Sequence, residues 1–400
     1  MPGTEYFGAE ERKEVMDVLE SGMLFRYNHD DQRNGHWKAR EFEELFQNYT
    51  GAKHAHAVSS GSAAVACMMA AAGIGHNDEV ICTPFTFIAP IEAVLFAGGI
   101  PVFAEVDETL NLSAASIEAA ITPRTKAVLL IHMCGAAADL DGIRAVCDKH
   151  NIKLLEDAGQ ALGAFYKGKH VGLFGDAGAV SFDFFKITTA GEGGVCFTND
   201  TEKYEIMAQF SDHGHSHVGD NRGMEPHPIL GFNYRLGELN AAVAVAQMRK
   251  LEMIREQNKK NKAILKDRLK EVPFITFRCL PDEEGDSATF LNFFMETPEL
   301  AKAAADQCGK DGVGVAYWYT NMYHFINQWD HLKSLNSPYK LAIHDYEHRQ
   351  DWNNLELPKS QNIIGRLLSI GIRATWTEEE IHAFADKLIA SLNSVVAVNN

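Results

Sequence analysis

Short apolar runs alternate with amphipathic segments through the first half of the chain. The runs are rich in Val, Ile and Leu and are only a few residues long, which favours buried strands. They lie at HAHAV (54–58), EVICT (79–83), IPVFAEV (100–106), KAVLLIHM (126–133), IKLLED (152–157), DAGAVSF (176–182) and GGVCFTN (193–199). Such runs separated by helices are typical of a mostly parallel sheet covered on both faces, so the pattern predicts an α/β fold.

The segments between the runs have the apolar spacing of helices. The segment 37–50 places Phe42 and Phe46 on one face and is followed by Gly51, the residue type preferred after a helix end. The other helices predicted in this half lie at 9–20, 87–98, 113–121 (with Ser113 as the cap) and 140–150. These helices supply the two layers that would cover the sheet.

The pattern changes in the second half. A long helix is predicted within 231–269, and from Phe274 strands and helices mix, with helices expected at 299–310, 360–370 and 377–393. We therefore predict a large domain over residues 1–255 and a smaller C-terminal α+β domain over residues 256–400.

Composition narrows the class of function. The net charge of −17 offers no basic stripe for nucleic acid, although a local pocket can still be basic. The seven cysteines are widely spaced and predict small buried thiols in a reducing compartment. No signal peptide and no apolar run of membrane-spanning length is evident, so we expect a cytoplasmic protein that binds neither nucleic acid nor membrane.

Polar residues follow several predicted strands. Ser60, His132, Asp157 and Gln160 all come just after an apolar run. Ligands of mostly parallel sheets collect at this carboxyl edge. The stretch 59–62, Ser-Ser-Gly-Ser, opens an alanine-rich helix whose free amides suit a phosphate, although a plain serine cap has the same sequence.

Lys186 lies in the stretch SFDFFKITTAGEGG (181–194), next to Phe185 and Ile187. A lysine among apolar residues loses its proton more easily, and the neutral amine can form a Schiff base with a carbonyl. The alternative is a lysine at a strand end that extends to water. Asp157 could pair with the protonated ring nitrogen of pyridoxal phosphate, or it could cap the following turn.

Five segments together carry a family resemblance: SSGSAAV, CTPFTFIAP, EDAGQALGA, SFDFFKITTAGEGG and GFNYRLGELNAA. In this order they resemble the DegT/DnrJ/EryC1/StrS family of sugar aminotransferases. The resemblance implies fold type I of the pyridoxal-phosphate enzymes: a large domain with a mostly parallel seven-stranded sheet and a smaller C-terminal α+β domain. It also implies pyridoxal 5′-phosphate as cofactor and L-glutamate as amino donor.

The resemblance assigns roles at the cofactor. Lys186 would be the catalytic residue, because it would bind the cofactor covalently and then move a proton. Asp157 would bind the ring nitrogen, and Gln160 would lie near the phenolic oxygen. The remaining cofactor contacts would be ring stacking by Phe87, phosphate binding by Gly61 and Ser62, and a hydroxyl from Ser181.

The resemblance also implies a homodimer. Asn233 of GFNYR would reach the phosphate in the neighbouring subunit. Arg235 nearby would position substrate or close the dimer, and a structural ion pair is the alternative.

Two positions depart from the family pattern. Asp183 stands where many members have histidine, and His324 lies in YWYTNMYHFINQWDHL, which differs from the usual sugar-contacting segment. Both are candidates for contact with the substrate.

The acceptor sugar is expected to be unusual. The runs FRYNHDD and SFDFFK are most similar to the aminotransferases that form 8-amino-3,8-dideoxy-manno-octulosonate, an aminated lipopolysaccharide sugar. A sugar acid of this kind needs a cation, which Arg26, Arg222 or Arg235 could supply.

Other functions stay open at this point. One is amination of a nucleotide-linked keto-sugar; others are a sugar dehydratase, whose lysine is replaced by histidine, and a binding relative without activity. The loop with His213, His215, His217 and His227 could bind zinc, but no second ligand group at metal spacing is evident, so we predict no metal.

Overall fold

The computed structural model of the protein describes residues 3–219, 221–347 and 349–399. The helices are α1 Ala9–Ser21, α2 Lys38–Thr50, α3 Gly61–Ala71, α4 Ala89–Phe96, α5 Ala114–Ala120, α6 Leu140–His150, α7 Thr201–Phe210, α8 Glu238–Leu269, α9 Pro298–Lys310, α10 Asp330–Lys333, α11 Pro358–Arg366 and α12 Glu378–Asn399. The strands are β1 His54–Val58, β2 Glu79–Cys82, β3 Ile100–Phe103, β4 Thr125–Ile131, β5 Lys153–Asp157, β6 Phe165–Tyr166, β7 Lys169–His170, β8 Ala177–Ser181, β9 Gly194–Thr198, β10 Ile275–Phe277, β11 Phe290–Met295, β12 Ala316–Tyr317 and β13 Leu367–Gly371.

Seven strands form the central sheet in the order β1-β9-β8-β5-β4-β2-β3. β9 runs antiparallel to both of its neighbours, and the other four pairs are parallel. Successive residues of β4 enter two different cores: Leu129 and Ile131 lie in one, Val128 and Leu130 in the other. A strand that is buried on both faces has no polar positions, which explains the continuous apolar runs. The predicted mostly parallel seven-stranded sheet is confirmed.

Helix ends follow the predicted chemistry. Gly22 and Gly51 adopt left-handed conformations after α1 and α2, with φ of 69° and 79°. Ser60 and Ser113 accept hydrogen bonds from the amides of Ala63 and Ser116 at the starts of α3 and α5. These residues fix where each helix begins or ends, and therefore where the loops at the sheet edge start.

The C-terminal region forms a second, antiparallel sheet in the order β10-β11-β13-β12. The helix predicted at 360–370 is wrong beyond Arg366, because residues 367–371 form β13. Leu367 and Leu368 are fully buried where β13 pairs with β11, so strand pairing overrides helix continuation. The helix α7 and the hairpin β6–β7 were not predicted.

The long helix α8 contacts both regions of the chain. Lys250 donates to the carbonyl of Tyr6, whereas Asn261 donates to the carbonyl of Arg373 near the second sheet. The predicted boundary at residue 255 lies between these two contacts and stays a prediction.

The cysteines behave as the composition indicated: all seven are free and all but Cys279 are buried. Among the described residues, no helix is long and apolar enough to cross a membrane. The cytoplasmic location stays a prediction.

Candidate active site

A cavity of about 300 Å³ opens at the carboxyl edge of the central sheet. The register of β4 and β5 pairs Ile131 with Asp157, and that of β5 and β8 pairs Asp157 with Ala179, so these strands end together. The cavity lining contains most of the predicted cofactor residues: Gly61, Ser62, Phe87, Asp157, Gln160, Ser181 and Lys186, together with the substrate candidate Asp183. The fold therefore brings together residues that are far apart in the sequence.

Lys186 stands on the loop between β8 and β9, with about a fifth of its side chain exposed. Its Nζ lies 3.7 Å from Oδ2 of Asp183. The other carboxylate oxygen of Asp183 accepts the amide of Phe185 at 2.7 Å, which fixes the turn before the lysine. Asp183 therefore shapes the loop and also places a negative charge beside the amine.

Asp157 ends β5 and is 8% exposed. One oxygen accepts the amide of Gly159 at 2.7 Å. Burial raises the pKa of Asp157, although the nearby cation of Lys186 opposes this shift. A buried carboxyl whose pKa is raised favours a partner that carries a proton, and the protonated ring nitrogen of pyridoxal phosphate is such a partner.

The start of α3 forms another wall of the cavity. The hydroxyl of Ser60 accepts the amide of Ala63 at 3.1 Å, which leaves the amides of Gly61 and Ser62 available to an anion. A Cβ on Gly61 would lie 2.6 Å from Cβ of Ser181, so only glycine lets β8 approach the helix start this closely. The wall has the donors that a phosphate group needs.

Gln160 and Phe87 add a hydrogen-bond donor and an aromatic ring to the cavity. Oε1 of Gln160 accepts the amide of Cys134 at 3.1 Å, so its Nε2 remains as a donor for an oxygen such as the phenolic one. Phe87 is 42% exposed and offers a ring to the cavity. With the carboxyl of Asp157, the amine of Lys186 and the helix start, these residues fit the chemistry of pyridoxal phosphate.

His324 reaches this site from the C-terminal region. The amide of Thr86 donates to its carbonyl at 3.0 Å, and its ring centroid lies 5.7 Å from that of Phe87. Burial, and secondly the cation of Lys186, lower the pKa of His324 to about 4. The histidine is therefore neutral near pH 7 and can offer a hydrogen bond, with Nδ1 occupied by Asn321 at 2.9 Å.

The arginine candidates lie outside the lining of this cavity. Arg222 donates twice to Asp212, at 2.9 Å from each of its oxygens, and Arg235 donates to the same carboxylate at 2.5 Å. Nε2 of His217 lies 2.9 Å from Oδ2 of Asp212. Burial alone would raise the pKa of Asp212, but the hydrogen bonds from these three side chains hold it well below its ordinary value. We call Asp212, His217, Arg222 and Arg235 the arginine cluster.

Arg26 is buried under this cluster rather than in the cavity. It donates to the carbonyl of Ala57 at 2.6 Å and to Glu43 at 2.7 Å. Burial alone would lower the pKa of Arg26, but the charge of Glu43 raises it overall. In this subunit Arg26 holds β1 against α2.

Asn233 is exposed and also lies apart from the cavity described above. It pairs with Asp212 through an isolated antiparallel bridge, and Arg235 follows two residues later. Asn233 and the arginine cluster therefore form one unit on the surface of the subunit.

The histidine loop is held by other contacts. Nδ1 of His215 lies 3.1 Å from Glu225, and Nδ1 of His227 bonds the carbonyl of His213 at 2.9 Å. Within residues 3–219, 221–347 and 349–399, no group of three ligand-type side chains could hold a metal ion.

Sequence reasoning missed three residues of these sites. Thr86 and Glu192 line the cavity, and Asp212 anchors both arginines. Thr86 and Glu192 lie in the segments TPFTF and AGEGG of the family resemblance, but the cofactor roles were assigned to other residues nearby. Asp212 lies in the histidine loop, where the histidines were the candidates, either as metal ligands or as part of a loop at the mouth of the active site.

Comparisons with known proteins agree with this arrangement. Residues 6–389 match the model of the DegT/DnrJ/EryC1/StrS aminotransferase family. The chain is 30% identical over 397 residues to the spore coat polysaccharide biosynthesis protein SpsC of Bacillus subtilis, which covers 97% of this chain and 95% of that protein. It is 41% identical over 218 residues to GDP-perosamine synthase of Caulobacter vibrioides, a match that spans 53% of this chain and 56% of the relative.

The solved structures agree on the fold. PseC of Helicobacter pylori, an aminotransferase involved in the biosynthesis of pseudoaminic acid, superimposes with a TM-score of 0.83 at 24% identity, over 97% of both chains. The residues of the cavity fit the cofactor, and the family model matches nearly the whole chain. Together these observations lead to one assignment. This chain belongs to the DegT/DnrJ/EryC1/StrS aminotransferase family, and its cofactor is pyridoxal 5′-phosphate.

Proposed function

We propose that this enzyme moves the amino group of L-glutamate to the carbonyl carbon of a sugar. The observation that carries the proposal is the cavity in which the amine of Lys186 and the buried carboxyl of Asp157 lie together. Asp157 also accepts the amide of Gly159 through one oxygen, and Lys186 has an ion pair with Asp183 at 3.7 Å, but these contacts do not require the two groups to share a cavity. Both are needed when an amino group is transferred with pyridoxal phosphate.

The residues of the cavity have different roles in the proposed reaction. Bound pyridoxal phosphate supplies an electron sink that stabilises negative charge on the substrate carbon. With the cofactor bound, the amine of Lys186 would be placed to take up and return the proton of the substrate carbon, and Oδ2 of Asp183 lies 3.7 Å from this amine. Asp157 would favour the protonated form of the ring nitrogen, and Gln160 would donate to the phenolic oxygen.

The proposed acceptor is the 8-oxo form of 3-deoxy-manno-octulosonate, a sugar acid. Two guanidinium groups share the single carboxylate of Asp212 in the arginine cluster, so the cluster keeps a net positive charge. Asn233 belongs to the same unit. If Asn233 reaches the cavity of the neighbouring subunit, it brings Arg235 with it, and that arginine can bind the carboxylate of the sugar.

A nucleotide-linked keto-sugar is the second candidate acceptor. The similarity to GDP-perosamine synthase, a relative named for a nucleotide sugar, supports it. Exposed aromatic side chains near the cavity also support it, because a base could stack on Phe185 or Tyr323, which are 72% and 62% exposed.

A substrate screen with glutamate as donor decides between these acceptors. Release of 2-oxoglutarate should depend on the acceptor, and we expect the 8-oxo octulosonate to support faster turnover than nucleotide-linked keto-sugars. Faster turnover with a nucleotide-linked sugar would replace the first acceptor by the second. A deoxy product without an added amine would indicate a dehydratase, and cofactor binding without any 2-oxoglutarate would indicate a binding relative.

We also propose that the active unit is a homodimer in which Asn233 completes the neighbouring site. Two inactive variants, Lys186→Ala and Asn233→Ala, can be mixed, unfolded gently and reassociated. A mixed dimer then has one site with both defects and one site with neither, so roughly a quarter of the wild-type activity should return. No return of activity in mixed dimers would show that Asn233 acts within its own subunit.

A further inference from the structure

We propose that the N-terminal segment Gly3–Glu11 positions Lys186 by holding the loop that carries it, residues 183–189. This role extends the proposed function, because it concerns the placement of the amine that the proposed reaction uses. Gly3 and Glu11 are both absent from the lining of the cavity, so they act on the loop from outside the site. Their contacts fix the loop at its start and at its end.

The first contact is made by Gly3. Its amide donates to the carbonyl of Phe184 at 3.3 Å. A Cβ added to Gly3 would lie 2.8 Å from the amide nitrogen of Thr189 and 3.0 Å from the carbonyl oxygen of Lys186. These neighbours are backbone atoms and cannot rotate away, so any larger side chain must displace either the segment or the lysine loop.

The second contact runs through Gln247 of α8. The amide of Thr189 donates to Oε1 of Gln247 at 3.3 Å, and Nε2 of Gln247 donates to Glu11 at 2.7 Å. Glu11 and Gln247 are fully buried. Lys250 also donates to Glu11, at 2.7 Å, so the carboxylate at the start of α1 has a cation beside it.

The segment is itself tied to the rest of the protein between these two contacts. The carbonyl of Tyr6 accepts from Lys250 at 2.7 Å, and its hydroxyl donates to the carbonyl of Ala374 at 3.3 Å. Glu5 accepts the amide of Thr375 at 3.3 Å. The segment therefore links the lysine loop to α8 and to the turn after β13.

The lysine loop needs such support because much of it is open to solvent. Phe184 and Phe185 are 47% and 72% exposed, and Asp183 is half-exposed. A catalytic amine must be held to within a fraction of an ångström by its surroundings. The segment supplies this support without touching the cofactor.

The test compares Gly3→Val with Gly314→Val. Gly314 has no atom within 4 Å of an added Cβ and its φ is not positive, so it is a matched control. In cofactor-free protein, amide hydrogen exchange of residues 184–189 should become about tenfold faster in Gly3→Val and stay unchanged in Gly314→Val. The same measurement does not depend on any sugar, so its outcome is independent of the proposed acceptor.

A second readout concerns the lysine directly. After loading with pyridoxal phosphate, the midpoint of the pH titration of the visible absorption band should shift in Gly3→Val, and the cofactor should dissociate about tenfold faster. Gly3→Ala should give a smaller change of the same sign, because its side chain is smaller.

The contact through Gln247 provides a separate variant. Gln247→Leu keeps the volume but removes the acceptor for Thr189, whereas Gln257→Leu changes a glutamine of the same helix that bonds only Asn261 in the contacts of the described chain. Gln247→Leu should reproduce the faster exchange at 184–189, and Gln257→Leu should not. Wild-type exchange in both Gly3→Val and Gln247→Leu, or an equal rise over the whole chain, would overturn the proposal.

Discussion

Two buried carboxylates distinguish the cofactor cavity from the arginine cluster. Asp157 has a backbone amide of Gly159 as its hydrogen-bond donor, and burial raises its pKa. Asp212 has three cationic or ionisable side chains around it, and they hold its pKa well below the ordinary value. Among the described residues no cation hydrogen-bonds the carboxyl of Asp157, whereas two arginines already neutralise that of Asp212.

This difference indicates where a ligand is needed. Folding alone gains little from an aspartate whose charged form is penalised by burial, so Asp157 is explained by a partner that comes from outside the chain. Asp212 is explained by the protein itself, because it orders two arginines and a histidine. A buried carboxyl therefore indicates a ligand site only when no cation of the same chain pairs with it.

The largest expected effect comes from Lys186→Ala. This change removes both the covalent link to the cofactor and the group that moves the proton, so activity should fall by about 10⁴-fold, the upper end for a positioned acid or base. The visible absorption of the loaded protein should change at the same time. Thermal unfolding of the cofactor-free variant is the control and should match the wild type, since Lys186 has only a weak ion pair at 3.7 Å.

The next largest effect is on stability. Asp212→Asn leaves Arg222 and Arg235 without their shared carboxylate, so the free energy of unfolding should fall by about 2–4 kcal/mol. The value lies toward the low side of the range for a broken buried pair, because about a fifth of each arginine side chain is exposed. Urea unfolding measures it, and an unchanged midpoint would mean that the arginine cluster is not the stabilising unit described above.

Asp157→Asn should act in the opposite way. In the cofactor-free protein it removes a buried charge that no cation hydrogen-bonds among the described residues, so stability should stay equal or rise slightly. Affinity for pyridoxal phosphate should fall by roughly tenfold to a hundredfold, the value of a charge-assisted hydrogen bond. Equal destabilisation by Asp157→Asn and Asp212→Asn would abolish the contrast between the two regions.

The pH dependence of stability separates the two carboxylates further. Because its folded pKa is raised, Asp157 binds protons more tightly when folded, so its contribution to stability falls as pH rises from 3.8 through the raised pKa. Asp212 has a lowered pKa, so its contribution is present above 3.8 and is lost as pH falls below that value. Urea unfolding of Asp157→Asn and of Asp212→Asn across these pH ranges tests both contributions. Each variant should lack the pH dependence that its aspartate adds to the free energy of unfolding.

The cavity could be predicted from the sequence because several of its lining residues directly follow predicted strands. The apolar runs predicted the strands, and parallel strands end at one edge, so Asp157, Gln160 and the start of α3 were expected to lie close together. The family resemblance then gave Lys186, Gln160 and Phe87 their roles. The order of the strands, with the antiparallel β9 between β1 and β8, was not predicted, because the alternation of runs and helices does not fix which strands are neighbours.

The arginine cluster could not be predicted in this way. Its members come from an irregular loop and from the segment before α8, where no periodicity fixes which side chains meet. Asp212 is polar like its neighbours, and nothing in the local sequence shows that it is buried. The strand β13 was missed for a related reason, since LLSIG becomes a strand only through pairing with β11.

The smallest expected effect concerns the pKa of His324 and tests which feature of the cavity lowers it. Burial is the larger cause of its pKa near 4, and the cation of Lys186 is the smaller one. Lys186→Met removes the charge but keeps the volume, so the pKa of His324 should rise only slightly and remain well below 6.5. Proton NMR of the ring, with Asn321→Ala as a variant that leaves the lysine in place, measures this rise. A return to 6.5 in Lys186→Met would mean that charge and not burial controls this side of the cavity, which would make the cavity resemble the arginine cluster.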